Sequence, residues 1–187
     1  MQKNSKALSI LDKPLSKGRS KISTTSYVFL FAEIVKYAQH KSKDTNDFQE
    51  ILSNFGKFVG RKCHDSIYLK EKGQKRDNKF HSVLLYIKGP MWKSLWGKEV
   101  DKVERSNEEP CKYFFFEKEP IINTYISQLK DKTDVNCAVF NAGIIEAVLT
   151  EMNFPCKVTA HWHNGTTYMI VLDEDYPAKE SVSKKNP

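Results

Sequence analysis

Apolar positions in the first third of the chain recur with a helical period. Ser23 is a suitable N-cap for a helix over about residues 24–40, whose apolar positions are Tyr27, Val28, Phe29, Leu30, Phe31, Ile34, Val35, Tyr37 and Ala38. Only Glu33, Lys36 and Gln39 interrupt that surface. A one-sided amphipathic helix keeps about half its circumference polar, so this one is either central in its own domain or covered on a second face by another chain.

A second helix is predicted over about residues 45–72, with Phe48, Ile51, Leu52, Phe55, Val59 and Ile67 at helical spacing. Asp44 and Asp47 suit the positive end of its dipole, and Gly73 is expected to end it. Gly56 and Gly60, four apart on one face, allow another helix to approach closely. A third helical segment runs from about Asn78 to Trp96, and its Gly89-Pro90 pair should break or kink it.

From Lys98 onward the period changes. Short β-compatible runs at about residues 99–105 and 112–117 flank a polar stretch, which suits an antiparallel hairpin. Pro120 opens a short helical piece, and a helix with one apolar and one polar side is predicted over about residues 135–152. Phe154-Pro155 ends it. Two last strands follow, at about residues 156–163 and 166–172. The order predicts an α+β fold with an antiparallel sheet carrying helices on one face.

The Asn164-Gly165 pair between the last strands signals a two-residue type I′ turn. That register pairs His163 with Thr166, and places Val158, Ala160, Trp162, Thr167, Met169 and Val171 together on the core side. His161, His163 and Tyr168 then lie on the outer sheet face. Two histidines one residue apart can converge on a metal, but zinc needs a third or fourth protein ligand, and the cross-strand neighbours Thr166 and Tyr168 are poor ones. Partner contact or a polar outer surface is the better expectation.

Composition narrows the function classes. The 187 residues fit one domain, and 40% apolar with 28% charged residues is a globular balance. Of the formal net charge of +7, +5 lies within residues 1–22, which are expected to form a disordered basic extension able to meet anionic membrane or an acidic partner. The domain is expected over 23–173, followed by a polar flexible tail at 174–187. Cys63, Cys111, Cys137 and Cys156 form no Cys-x-x-Cys pair and read as reduced thiols. No apolar run approaches the roughly 20 residues that span a bilayer, so the expectation is a soluble, cytoplasmic protein. No phosphate loop, His-Glu-x-x-His or nucleophile elbow is present, so no catalytic, metal-binding or cofactor-binding residue is assigned, and no cofactor is expected. Neither a recognition helix nor an aromatic RNA platform is visible, so no nucleic-acid partner is expected.

Longer strings carry a resemblance. YIKGPMWKSLWGKEVDKVE (86–104), EPIINTYIS (119–127), NCAVFNAGIIEAVLT (136–150) and FPCKVTAHWHNGTTYMIVL (154–172), with LFAEIV (30–35), resemble the small-subunit family of the transport protein particle, TRAPP. The resemblance implies an α/β-plait, a four-stranded antiparallel sheet with helices packed on one face. It implies a core subunit of a vesicle-tethering complex, peripheral at endoplasmic reticulum and Golgi membranes, whose assembled form promotes nucleotide exchange on a Rab-type GTPase. The implied partners are other TRAPP small subunits and, through the complex, the GTPase. No single small subunit holds the whole exchange site, so the chain is not expected to be an enzyme by itself.

Family members dimerise through their first two helices. The resemblance therefore makes Val28, Phe29 and Tyr37 candidate subunit contacts, with Leu30, Phe31 and Ile34 turned inward. A sister subunit carries an acylated cysteine in the loop after its second helix. Here that loop reads Gly73-Gln74-Lys75-Arg76-Asp77, and Cys63 lies about three helical turns earlier, so acylation is not carried over. A narrow cavity for an acyl chain between helices and sheet is the alternative reading of the fold.

Overall fold

The structure, a computed structural model, describes residues 22–72, 79–126, 136–163 and 165–173. The basic extension, apart from Ile22, the loop at 73–77 and the tail at 174–187 lie outside the described residues.

Helix α1 spans Thr24–Lys41, and Ser23 precedes it in an extended conformation without a side-chain capping bond. Helix α2, Thr45–Lys72, is capped reciprocally. Asp47 N–H donates to Asp44 Oδ1 at 2.8 Å, while Lys43 N–H donates to Asp47 Oδ2 at 2.9 Å. Asp44 thus satisfies an amide that the first turn of a helix leaves without a partner, and Asp47 ties that turn to the residue just before it.

The third segment does not break at Gly89-Pro90. Helix α3, Phe80–Tyr86, passes through a π turn at Ile87–Met91 into helix α4, Trp92–Trp96. Proline lacks an N–H and crowds the carbonyl four residues back, and the wider π turn relieves both conflicts. Trp92 N–H bonds the Ile87 and Gly89 carbonyls, which leaves the Lys88 carbonyl to accept Val100 N–H at 3.0 Å. That bond starts the chain toward the sheet. Gly97, at φ +77°, ends α4 in the left-handed region that glycine adopts most readily.

Four antiparallel strands follow: β1 (Lys102–Arg105), β2 (Lys112–Glu117), β3 (Cys156–Trp162) and β4 (Thr166–Leu172), in the spatial order β1-β2-β4-β3. Helix α5, Ile121–Thr124, follows Pro120. Helix α6, Val139–Glu151, ends where Asn153 turns left-handed at φ 66°. All helices pack on one face of the sheet, the α/β-plait arrangement expected above.

Helix α6 is not amphipathic as expected. Residues Val139 to Ile145 and Ala147 to Leu149 are all buried, because α6 lies between α2 on one side and the sheet on the other. Its approach to α2 is backbone against backbone. A methyl group on Gly56 would overlap the Phe140 carbonyl, one on Gly60 would meet the Ile144 carbonyl at 2.9 Å, and one on Gly143 would overlap the Ser53 carbonyl. Three glycines therefore set the distance between the two helices.

The closing hairpin has a different register from the one the Asn-Gly pair predicts. Trp162 pairs with Thr166, His161 with Thr167 and Ala160 with Tyr168, so three sequence positions separate the paired strands, of which Asn164 lies outside the described residues. Gly165 sits at φ +109° against the Glu117 and Lys118 carbonyls, which leave no room for a side chain. Three-residue hairpin loops characteristically end on such a glycine. Shifting a strand by one residue turns every one of its side chains to the other face. Thr166, Tyr168, Ile170 and Leu172 therefore face the core, in place of Thr167, Met169 and Val171. Tyr168, expected on the outer face, is wholly buried. Trp162 keeps the core-side parity but sits at the end of its strand, 48% exposed.

Candidate functional site

Two surfaces and one buried network hold the chain's unusual chemistry. The first surface is on α1 and α2. On α1, Phe31, Val35 and Ala38 are buried, while Phe29 is 69%, Leu30 62% and Tyr37 51% exposed. Leu30, expected to point inward, is thus on the outside. Successive helical residues are about 100° apart, so Val28 and Tyr37 lie on opposite sides of α1 and cannot meet one flat partner together. Val28 is half-buried.

Tyr37 instead continues onto α2. Its ring packs edge-on against Phe55, with centroids 5.9 Å apart, and Phe58 one turn further along α2 is exposed. Leu30, Ile34, Tyr37, Ile51, Phe55 and Phe58 thus make one apolar surface across two helices. Lys41 and Lys62 lie over the Tyr37 and Phe58 rings, at 6.0 and 5.8 Å. An apolar surface this wide, edged by basic side chains, has the character of a protein contact.

The second surface is the sheet face away from the helices. Phe114, Phe116, Thr167 and Met169 floor a cleft of 410 Å³ that Glu104, His161 and His163 border. His161 is exposed, and its Nε2 lies 2.7 Å from Thr159 Oγ1. His163 is in the hairpin loop, where its N–H bonds the Gly165 carbonyl at 3.1 Å. Among the described residues no group of three or more histidine, cysteine, aspartate or glutamate side chains is placed to hold a metal ion.

Between sheet and helices, Glu117 is a buried carboxylate. It accepts hydrogen bonds from Tyr168 Oη at 3.0 Å and Trp92 Nε1 at 3.4 Å, and Lys98 Nζ lies 3.3 Å from it. Asn141 Nδ2 donates to Tyr168 Oη at 3.1 Å. Burial, and then the neighbouring Glu117 charge, hold the Tyr168 hydroxyl well above its ordinary pKa, so it stays a donor. The network joins α4, β2, β4 and α6, and its Glu117, Tyr168 and Asn141 side chains are buried. Sequence reading missed it because Glu117 looks like an outward strand-end acid until the register of β4 is known.

Three of the cysteines are quiet. Burial pushes Cys137 up to about 11, and burial followed by the Glu146 and Asp173 charges pushes Cys156 up to about 12. Cys63 is raised by burial as well, which makes it a poorer nucleophile than an ordinary thiol. No helix among the described residues is long and apolar enough to cross a membrane.

Comparison with known proteins agrees with this architecture. A family model described as "Transport protein particle (TRAPP) component" matches residues 27–173. The chain is 42% identical over 171 residues to "Trafficking protein particle complex subunit 5" of Gallus gallus, covering 91% of each chain. It is 39% identical over 180 residues to the Dictyostelium discoideum protein of that name, covering 96% of this chain and 94% of that one. Among solved structures, a Naegleria fowleri trafficking protein particle complex subunit 3 covalently bound to palmitic acid shares the fold, with a TM-score of 0.71, 12% identity, and coverage of 81% of this chain and 95% of that one. With a family match across residues 27–173 and relatives aligned over nine-tenths of their length, the chain belongs to the TRAPP component family.

Proposed function

We propose that the chain is a core structural subunit of a TRAPP vesicle-tethering complex, in the place that subunit 5 takes, and that it joins another small subunit through the α1–α2 surface. The observation that carries this reading is the exposed apolar surface around Leu30, Tyr37 and Phe58, which an isolated domain would keep polar. The relatives are named as subunits of a complex, which supports an assembled role. In the complex the chain acts in endoplasmic reticulum to Golgi transport, peripherally at those membranes. It contributes scaffold, not chemistry, to nucleotide exchange on a Rab-type GTPase.

Affinity purification of the chain from cells, followed by identification of its stoichiometric partners, tests the assembly. Small subunits of the same fold should copurify at one-to-one ratio, and recovery of the chain alone would overturn the reading. Exchange assays on complexes reconstituted with and without the chain test the second half. Exchange should fall when the chain is omitted and be undetectable with the chain alone.

A further inference from the structure

The outer face of the sheet, opposite the helices that carry the proposed subunit contact, has an organised pattern of its own. On this face the two central strands present Phe114 and Phe116 from β2, and Thr167, Met169 and Val171 from β4, with Lys112 of β2 at one end beside Val171. The two edge strands present polar side chains: Lys102 and Glu104 from β1, and Lys157, Thr159 and His161 from β3. An apolar stripe two strands wide is about 10 Å across, the width of one α-helix. Its length, from Thr167 to Val171 of β4, is roughly 16 Å, or about 11 helical residues. The cleft above Phe114, Phe116 and Met169 offers room for large apolar anchors, and within it the buried Thr167 hydroxyl has no hydrogen-bond partner.

Charge distinguishes the two borders. On the β1 side Lys102 is paired with Glu104, and at the end of β2 Lys112 is paired with Glu109, so those charges are already compensated. On the β3 side Lys157 has no ion-pair partner among the described residues, and the imidazoles of His161 and His163 extend the same border. Lys157 and His161 are about 13 Å apart along the strand, close to the roughly 11–12 Å between carboxylates seven or eight residues apart on one side of a helix.

We propose that this face docks an amphipathic helix of another protein, one whose apolar stripe lies along β2 and β4 and whose border toward β3 carries carboxylates. Apolar anchors in the cleft provide affinity, and the one-sided basic border fixes which way round the helix lies. The site does not depend on the α1–α2 contact, which lies on the other side of the sheet.

The test places a photo-cross-linking phenylalanine derivative at Met169 in the full chain, within the complex assembled in cells. The expected adduct is to a segment of another protein with helical apolar spacing and acidic residues along one border. Its yield should fall at least tenfold when Lys157→Glu and His161→Glu are combined, while copurification through α1–α2 is unchanged. Lys102→Gln, on the β1 border and outside the cleft lining, should leave the yield within twofold. An adduct to lipid, to residues 174–187 of the same chain or to a segment without that pattern overturns the proposal. So does a yield insensitive to the β3 charge reversal, or no adduct in the intact complex.

Discussion

Tyr168 and Glu117 lie side by side on the core face of the paired strands β4 and β2, the tyrosine hydroxyl donating to the carboxylate at 3.0 Å. Neither side chain is exposed, and Asn141 on α6 completes the chain of donors. The first bond ties two strands together and the second ties the sheet to the buried helix, at a point where water cannot replace a lost partner.

Tyr168→Phe should accordingly cost more than an ordinary hydrogen bond. It leaves both the Glu117 carboxylate and the Asn141 amide short of a partner, and a destabilisation of about 2 kcal/mol is expected. Urea unfolding checks this, with Tyr125→Phe, at an exposed position, as a control within about 0.5 kcal/mol of the parent.

The α2–α6 contact makes a sharper prediction. Gly56→Ala and Gly143→Ala each add a methyl where a backbone carbonyl of the facing helix already stands, and backbone cannot rotate away as a side chain can. Each should destabilise by about 3 kcal/mol or more, against about 1 kcal/mol for Gly97→Ala, where space is open and only the positive φ is strained. Thermal unfolding of the three variants should rank them in that way.

Alkaline pH should weaken the fold through its buried thiols. Cys137 and Cys156 have folded pKa values raised from 9.0 to about 11 and about 12, so the unfolded chain ionises first. The stability these neutral thiols contribute is complete below pH 9 and declines as pH rises from 9 toward 11 and 12. Denaturation midpoints at pH 8 and 10.5 should differ less in Cys137→Ala than in the parent.

Much of this was legible in the sequence. The 3.6-residue period placed α1 and α2 within a residue or two, and the runs at 112–117 and 166–172 gave two strands with their observed limits. The faces of β4 were not legible. TTYMIVL has no alternation of apolar and polar residues, so the turn alone had to set its register, and the turn is set by Gly165 packing on the Glu117 and Lys118 carbonyls. That contact is between segments distant in sequence. For the same reason His161 could be placed on the outer face from β3, while Tyr168 could not be placed from β4. The width of the α1 stripe announced a second, exposed apolar surface, but which residues form it depended on where α2 lies. Val28 falls on the far side of α1, and Phe55 and Phe58 take its place beside Tyr37.

The central claim is that the α1–α2 surface is a subunit contact, and coexpression with a small subunit of the same fold tests it directly. Leu30→Asp and Phe58→Asp, both at exposed positions, should leave the circular dichroism of the chain unchanged. Binding to the partner, measured by calorimetry, should weaken at least a hundredfold, about 2.7 kcal/mol. Unchanged affinity with an intact fold would contradict the account.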